Sequence, residues 1–169
     1  MKKILSLIAV VCLLLTFAGC GGETPSTPSG SNAPTPATDG FTFTYNGTEI
    51  VMKAPAEPIV AALGEAKSYT EEASCAFTGL DKTYYYGSFY LETFPQDGKD
   101  YVFGLWFADD SVATKEGIYI GATQAQVEAA YGADNFNGAN GYELTKGETK
   151  LTIILQDGVV SSIQYSIVI

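Results

Sequence analysis

The stretch of sequence that decides the fold is LTIILQDGVVSSIQYSI, residues 151–167. Apolar residues alternate with polar or exposed positions along much of it, and the alternation is interrupted at Asp157-Gly158. A period of two is typical of a β-strand that buries one face, and Asp-Gly is a preferred pair for a two-residue hairpin turn. The stretch therefore predicts two antiparallel strands joined by a tight turn.

Two further turn signals lie earlier in the chain. Asp97-Gly98 separates the apolar residues around Leu91 from those after Tyr101, and Asn46-Gly47 separates residues 41–45 from the next predicted strand. Gly and Asn adopt the positive φ angles of such turns more readily than other residues do. Together the three turns predict an antiparallel sheet.

A shift of 68 positions (118 − 50) aligns residues 50–64 with residues 118–132 and indicates an internal repeat. In each segment a predicted strand, residues 48–52 or 117–120, leads into a short helix with apolar residues at i, i+3 and i+4. The identical pairs are Ala54 with Ala122, Ala61 with Ala129, Ala62 with Ala130 and Gly64 with Gly132. The predicted fold class is therefore α+β, a tandem repeat of short helix plus antiparallel sheet, with the helices on one face of the sheet.

The ends of the two helices are also predicted from local chemistry. Thr123 and Gln126 have the spacing of a capping box. Pro58 is expected as the third helical residue, where its missing N–H costs little because no intrahelical acceptor is available there. Gly64 and Gly132 are expected to end the helices in the left-handed αL conformation.

The predicted domain organisation follows from the repeat and from composition. Residues 41–169 are predicted to form a single folded unit of two repeats, about 41–112 and 113–169. Each repeat holds ~60 residues, which rarely supply more than ~3–5 kcal/mol from their own core, so the two are expected to share one structure.

Residues 20–40 contain no aromatic or branched aliphatic residue, and such a segment cannot offset its ordering entropy. They are predicted to be a lipidated Cys20 followed by a disordered tether.

The N-terminal residues have the layout of an export signal. Lys2 and Lys3 precede an apolar run over residues 4–17, which ends on small residues before Cys20. This run is shorter than the ~20 apolar residues that a membrane-spanning helix needs. Cleavage of residues 1–19 as a signal peptide is therefore predicted.

Residues 17–20, Phe-Ala-Gly-Cys, resemble the lipobox of bacterial lipoproteins, with Phe17 in place of the usual Leu. The resemblance implies that Cys20 becomes the first mature residue and carries the lipid, with acyl chains such as palmitate anchoring the protein to the extracytoplasmic side of the cell membrane. An ordinary secretory signal with a chance cysteine and an uncleaved anchor are the alternatives.

The charge of the chain excludes several classes of function. The sequence has 9 Lys, 19 Asp plus Glu, and neither Arg nor His. Without Lys2 and Lys3 the net charge becomes 7 − 19 = −12, so nucleic acid is excluded as a partner, because phosphate binding relies on clustered Lys and Arg. Without His, neither a Ser-His-Asp centre nor an imidazole zinc site can form. We predict no catalytic residue and no cofactor.

Cysteine and the acidic loops carry weaker signals. Once Cys12 leaves with the signal and Cys20 is lipidated, Cys75 is the remaining cysteine, and it is expected to be a buried structural thiol.

Residues 134–138, Asp-Asn-Phe-Asn-Gly, are similar to a calcium loop, but Phe136 stands where an oxygen ligand is needed. A polar loop without metal is therefore predicted.

Aromatic residues distinguish the first repeat from the second. The residues expected to point inward are Tyr85, Phe89, Leu91, Tyr101, Phe103, Leu105 and Phe107. The aromatic residues then expected to point outward are Tyr84, Tyr86, Tyr90 and Trp106. Exposed Tyr and Trp favour a protein-binding surface. Burial of this face by the other repeat or by a loop, and a carbohydrate platform, are the alternatives.

Residues 117–123, GIYIGAT, followed by Val127 and Tyr131-Gly132, resemble the motif that precedes the helix in the SmpA/OmlA-type lipoproteins. The tandem layout resembles the β-lactamase inhibitory protein family, although the present chain has no matching cysteine pair. The resemblance implies a concave protein-binding surface. We predict a membrane-anchored, non-catalytic protein-interaction module. A carbohydrate- or cell-wall-binding lipoprotein, or a His-independent hydrolase that uses carboxylates, is the alternative.

The lipid anchor gives a first prediction. We expect the mature protein to partition with membranes and the Cys20→Ser variant to lose this behaviour, because stable anchoring requires more than one acyl chain. Membrane fractionation and mass spectrometry of the exported protein measure this. An unmodified Cys20 in the exported protein would contradict it.

Overall fold

The computed structural model describes residues 36–37, 39–138 and 140–168. The predictions for the signal peptide, for the lipid on Cys20 and for most of the tether lie outside these described residues. Within them, neither α-helix is long and apolar enough to cross a membrane.

Strands dominate the described part of the chain. A two-stranded hairpin comes first, and an eight-residue α-helix leads from it into a seven-stranded sheet. A second eight-residue α-helix lies between the fourth and fifth strands of that sheet in chain order. The elements in chain order are β1 (Thr42–Tyr45), β2 (Thr48–Val51), α1 (Ala56–Leu63), β3 (Ser68–Ala73), β4 (Leu80–Tyr85), β5 (Phe89–Gln96), β6 (Lys99–Phe107), α2 (Gln124–Tyr131), a 3₁₀ turn (Ala133–Asn135), β7 (Gly141–Lys146), β8 (Thr149–Gln156) and β9 (Val159–Ile167).

The large sheet is antiparallel throughout, and its strand order is β3-β4-β5-β6-β9-β8-β7. β6 pairs with β9, so the strands before α2 and those after it form one continuous sheet. The register positions that join them are Gly104 with Ser166, Leu105 with Tyr165 and Trp106 with Gln164. β3 and β7 are the edge strands, and all six residues of β3 are exposed.

The three predicted hairpin turns are confirmed. Both turn residues have positive φ in Asn46-Gly47 (47° and 82°), Asp97-Gly98 (51° and 73°) and Asp157-Gly158 (53° and 80°). Positive φ at both positions is the mark of a type I′ turn, whose twist matches that of the strands it joins. These turns connect β1 to β2, β5 to β6 and β8 to β9.

The predicted fold class, α+β with a tandem repeat of short helix plus antiparallel sheet, is wrong. The described residues form nine strands and only two short α-helices, so this is an antiparallel sheet fold with few helices. The β1–β2 hairpin before α1 has no counterpart before α2, and four strands follow α1 where three follow α2.

The repeat fails at the segment that was aligned with β2. Residues 117–120 are not a strand, because their hydrogen bonds are local. The backbone N–H of Thr114 donates to the Ile118 carbonyl (2.8 Å), and the Ile118 N–H donates to Thr114 Oγ1 (3.1 Å). Gly117 and Gly121, with φ angles of 85° and 100°, turn the chain on either side. Apolar spacing alone did not reveal these turns.

The helix starts are confirmed and the helix ends only in part. Thr123 Oγ1 accepts a hydrogen bond from the Gln126 N–H (3.3 Å), and Gln126 Oε1 accepts one from the Thr123 N–H (2.8 Å). Pro58 is the third residue of α1. Gly64 and Gly132 follow the helices with φ of 81° and 86°, but their ψ angles of −159° and 139° lie outside the αL region.

The core lies on one face of the large sheet, which we call the inner face. Its central row consists of Tyr84, Leu91, Leu105, Tyr165, Leu151 and Leu144 on adjacent strands. Phe43 of β1 packs there, with ring centroids 5.3 Å from Phe89 and 5.1 Å from Phe107. Buried residues of α1 and α2, Ile59 and Val127, belong to the same core. The opposite side of the sheet is the outer face.

The junction of β6 with β9 gives a second prediction. A Cβ atom at Gly104 would meet the backbone carbonyl oxygen of Tyr165, so a larger residue forces the two strands apart. Overpacking of this kind costs ~1–3 kcal/mol. We expect Gly104→Ala to lower the midpoint of a single cooperative thermal transition of the full chain, followed by circular dichroism.

Thr145→Ala on β7 serves as the control, because Thr145 is exposed and lies two strands away from the junction. An unchanged midpoint for Gly104→Ala would contradict the close approach of the strands. Two separable transitions in the unmodified chain would contradict the shared structure.

Candidate functional site

The outer face carries two side-chain rows that cross the sheet in register. The first row is Tyr85, Tyr90, Trp106, Gln164, Thr152 and Glu143. The second row is Thr83, Glu92, Gly104, Ser166, Lys150 and Thr145. The first row is aromatic over β4, β5 and β6 and polar over β9, β8 and β7, so the aromatic residues are grouped at one end of the face.

Tyr85, Tyr90 and Trp106 form a continuous stack, which we call the aromatic ladder. The centroids of Tyr85 and Tyr90 are 4.5 Å apart with an interplanar angle of 24°, and those of Tyr90 and Trp106 are 4.9 Å apart at 12°. All three side chains are half-buried. Since neighbouring rings cover one another's faces, the ladder presents mainly ring edges and polar atoms to solvent.

The structure brings together only two of the four tyrosine and tryptophan residues that were expected to point outward. Tyr90 and Trp106 lie on the outer face. Tyr84 lies on the inner face opposite Leu91, beside α1. Tyr86 is only 7% exposed and packs on Phe89, with ring centroids 5.3 Å apart. The outward orientation expected for Tyr84 and Tyr86 is therefore wrong.

The turn between β4 and β5 explains the difference. Residues 84–86 are three consecutive tyrosines, so they show no alternation from which a face can be read. The Tyr86 N–H donates to the Phe89 carbonyl (3.0 Å) across Gly87-Ser88, and Gly87 has a φ of 97°. This two-residue turn sets Tyr85 opposite Tyr90. Gly at the first position of a two-residue turn is a known hairpin signal. Gly87 would therefore have predicted that Tyr85 lies on the same face as Tyr90, not on the inner face as expected.

A β-bulge changes the orientation of Phe103, which was expected to point inward. The register shifts so that Glu92 pairs with Gly104 while Thr93 pairs with Val102, which leaves Phe103 as the extra residue. Its ring lies 6.3 Å from that of Phe94 and borders the polar part of the outer face. Bulges redirect side chains in this way, and the sequence carried no signal for this one.

The loop between β3 and β4 covers the end of the outer face next to the ladder. The ring of Phe77 packs on Phe94 with centroids 4.5 Å apart. Ser74 Oγ accepts from the Phe77 N–H (3.1 Å), which holds the loop in a tight turn. Phe77 supplies the apolar contact in this loop, and Cys75 is exposed. The prediction of a buried Cys75 is wrong.

A cavity of about 130 Å³ lies between this loop and the sheet. Its lining residues are Cys75, Ala76, Phe77, Asp81, Glu92, Thr93, Phe94 and Phe103. Burial raises the pKa of the Glu92 carboxyl group, and the charge of Asp81 raises it further. Asp81 Oδ1 and Thr93 Oγ1 are buried and have no hydrogen-bond partner among the described residues. We call this the acidic cavity.

No described group of three or more Cys, Asp and Glu side chains is placed to hold a metal ion. In the loop compared with a calcium site, the Phe136 ring packs on Tyr142 with centroids 5.3 Å apart. A larger open groove of about 450 Å³ lies on the other face, between α1 and Tyr84.

No family model, curated protein or solved structure matches this chain. The resemblances to the SmpA/OmlA-type lipoproteins and to the β-lactamase inhibitory protein family remain predictions from sequence.

The raised pKa of Glu92 gives a third prediction. The folded protein holds this proton more tightly than the unfolded chain does, so ionisation of Glu92 lowers stability as pH rises from the ordinary glutamate pKa through the raised one. We expect Glu92→Gln to raise the melting temperature at pH 7 and to leave it unchanged below about pH 3, where the carboxyl group is protonated in both states. Melting temperatures measured from acidic to neutral pH test this.

Glu72→Gln is the control, because Glu72 is exposed on the edge strand β3. A stabilisation by Glu92→Gln that is the same at every pH would show that its cause is packing, and it would contradict the titration argument.

Proposed function

We propose that this chain is a membrane-anchored envelope lipoprotein whose folded part is a non-catalytic protein-interaction module. The observation that carries the proposal is the aromatic ladder of Tyr85, Tyr90 and Trp106, half-buried on the sheet face opposite the helices. Tyr and Trp are enriched at the centres of protein interfaces, where they bury large areas with few rotatable bonds. The stacking also fixes the side chains before a partner binds, which lowers the entropic cost of association.

The geometry of the ladder favours a protein over a carbohydrate. A sugar packs its C–H groups on the negative face of an aromatic ring. Tyr90 lies between Tyr85 and Trp106, so both faces of its ring are already covered. Ring edges, the Tyr hydroxyl groups and the Trp N–H suit the mixed apolar and polar surface of a protein partner.

The acidic cavity offers little support for a carboxylate hydrolase. Asp81 and Glu92 both line it, but its volume is about 130 Å³, whereas sites for small-molecule substrates typically have ~300–1,000 Å³. A glycosidase also places its two carboxylates on either side of the bond to be cleaved. A cavity of this size has no room for two sugar units between the two acids.

The proposed anchor is compatible with a surface that meets another protein. Ala37 is buried, and its N–H donates to the Met52 carbonyl, so the C-terminal end of the predicted tether belongs to the folded part. A tether of about fifteen residues before it has an r.m.s. reach on the order of 20 Å. This reach would hold the outer face clear of the lipid head groups. The net negative charge of the chain also opposes adsorption to an anionic membrane.

The ladder gives a fourth prediction. We expect Tyr90→Ala and Trp106→Ala each to weaken partner binding by roughly 2 kcal/mol, or about 30-fold, because aromatic residues at an interface centre carry most of the binding energy. Capture from membranes with the full chain and cross-linking identifies the partner, and titration of the purified pair then measures the affinity. Melting temperatures are recorded in parallel.

Tyr69→Ala is the matched control, because Tyr69 is 47% exposed but pairs with Tyr84, away from the ladder. It should leave the affinity unchanged. If the ladder variants lower the melting temperature and keep the affinity of the unmodified chain, the aromatic ladder is a structural element and the proposed surface is wrong.

A further inference from the structure

One side of β3 offers backbone hydrogen-bonding groups to another strand. β3 is an edge strand of the large sheet, it pairs with β4 alone among the described strands, and all six of its residues are exposed. The opposite edge strand, β7, is partly covered, because Tyr142 forms a bridge with Phe136 and the Asn137 N–H donates to the Gly141 carbonyl (2.9 Å). Within the described part of the chain, β3 is therefore the more open edge of this sheet.

Alternation along β3 determines which of its backbone groups point away from the sheet. The Ser74 N–H donates to the Gly79 carbonyl (3.0 Å), and hydrogen-bonded pairs recur at every second position of an antiparallel ladder. The residues whose backbone groups face β4 are Ser68, Thr70 and Glu72. The outward N–H and C=O groups, which we call the free edge, belong to Tyr69, Glu71 and Ala73.

Both faces of β3 carry negative charge beside the free edge. Glu71 lies on the inner face, where Lys82 faces it in register, but Lys82 Nζ donates to Asp100 Oδ2 (2.7 Å). Glu72 lies on the outer face and is opposite another acid, Asp81. Neither Glu71 nor Glu72 belongs to a described ion pair. An added strand with a cation on each face would therefore place opposite charges side by side, which stabilises a sheet.

Tyr69 supplies an apolar contact next to these charges. It is 47% exposed, its ring centroid lies 5.0 Å from that of Tyr84 on β4, and its hydroxyl group donates to Glu71 Oε2 (2.6 Å). Because Tyr84 contacts the ring from the β4 side, the side toward the free edge is open. Aromatic residues pair well with β-branched residues on a neighbouring strand. A partner residue opposite Tyr69 is therefore expected to be Val, Ile or Thr.

We propose that the free edge of β3 binds an extended, lysine-bearing segment of a partner protein as an additional antiparallel strand. Two successive lysines of the segment lie opposite Glu72 and Glu71, one on each face, and a β-branched residue lies opposite Tyr69. The backbone of the segment pairs with the outward N–H and C=O groups of β3. This surface is distinct from the aromatic ladder, and the inference does not rest on the function proposed for the ladder.

The chain's own N-terminal residues lack the chemistry for this edge. Residues 20–35 contain no lysine, and the one charged residue in that range is Glu23. Pro25, Pro28 and Pro34 have no backbone N–H to donate. A segment of another protein is therefore the occupant that the charge of β3 favours.

The test is a titration of the full chain with the synthetic peptide acetyl-Val-Lys-Lys-Thr-Val-Thr-amide, followed by ¹H–¹⁵N NMR. We expect saturable shifts of the β3 amides and slower hydrogen exchange of the Tyr69, Glu71 and Ala73 amides, because these three gain hydrogen bonds. The alternate amides of β3 already face β4, so their exchange should change much less. Unchanged exchange of the three outward amides at saturating peptide would overturn the proposal.

Modified peptides separate strand addition from charge attraction alone. N-methylation of the third and fifth peptide residues removes N–H groups that face β3 and should abolish binding, whereas N-methylation of the second and fourth residues should not weaken it. Replacement of both lysines by glutamate should weaken binding by at least about tenfold. Equal binding of the two N-methylated peptides, or of the lysine and glutamate peptides, would overturn the proposal.

Charge reversal on β3 should produce a gain of binding as well as a loss. We expect the double variant Glu71→Lys with Glu72→Lys to bind the lysine peptide at least about tenfold more weakly, and the glutamate peptide more tightly, than the unmodified chain does. Misfolding cannot produce this gain, and both positions are exposed. Glu49→Lys is the matched control, because Glu49 is exposed on β2, and it should keep the affinity of the unmodified chain. A double variant that still prefers the lysine peptide would overturn the proposal.

Two further measurements separate this proposal from the proposed function and from self-association. Trp106→Ala should weaken partner binding at the ladder and leave peptide binding unchanged, so failure of the free edge and failure of the ladder give different results. Exchange of the Tyr69, Glu71 and Ala73 amides is also measured without peptide at several protein concentrations. Slower exchange at higher protein concentration would assign the free edge to a second copy of the chain and overturn the proposal.

Discussion

β6 and β9 meet at three register positions, and this short pairing is the contact on which the rest of the structure depends. Without it, β3 to β6 and β7 to β9 would be two separate small sheets, and the core of each would be too small to keep it stably folded on its own. Gly104 permits the contact because any larger side chain would meet the β9 backbone. The core residues Leu105 and Tyr165 face each other at the same junction, so one set of apolar contacts serves both groups of strands.

The continuous sheet also explains why the two faces differ in chemistry. The β1–β2 hairpin and the two helices supply enough apolar surface to cover one face. Among the described residues, the outer face is covered by its own side chains and, at one end, by the β3–β4 loop. Stacking in the aromatic ladder and the contact of Phe77 with Phe94 remove part of the apolar surface of the outer face from water. The half-buried Glu92 carboxyl group and Asp81 Oδ1, which has no hydrogen-bond partner among the described residues, cost stability at the place where the loop closes.

Local chemistry was predictable from sequence where a few neighbouring residues decide the outcome. The turns at Asn46-Gly47, Asp97-Gly98 and Asp157-Gly158 and the capping box of Thr123 belong to this class, because positive φ and side-chain capping depend on residue type at fixed spacing. The tandem repeat failed because apolar spacing in residues 117–120 is compatible with a strand, while Gly117 and Gly121 make it a turn. The faces of Tyr84, Tyr85 and Phe103 depended on a register and a bulge, and a shift of one residue reverses every side chain.

The exposed strand β3 limits how the protein can associate with itself. An edge strand offers unpaired backbone groups to any other strand, and sheets commonly protect such edges with charge. In β3 the protection comes from Glu71 and Glu72, since two copies pairing antiparallel about this point would set carboxylates opposite each other. Repulsion between these carboxylates therefore opposes growth of the sheet from molecule to molecule.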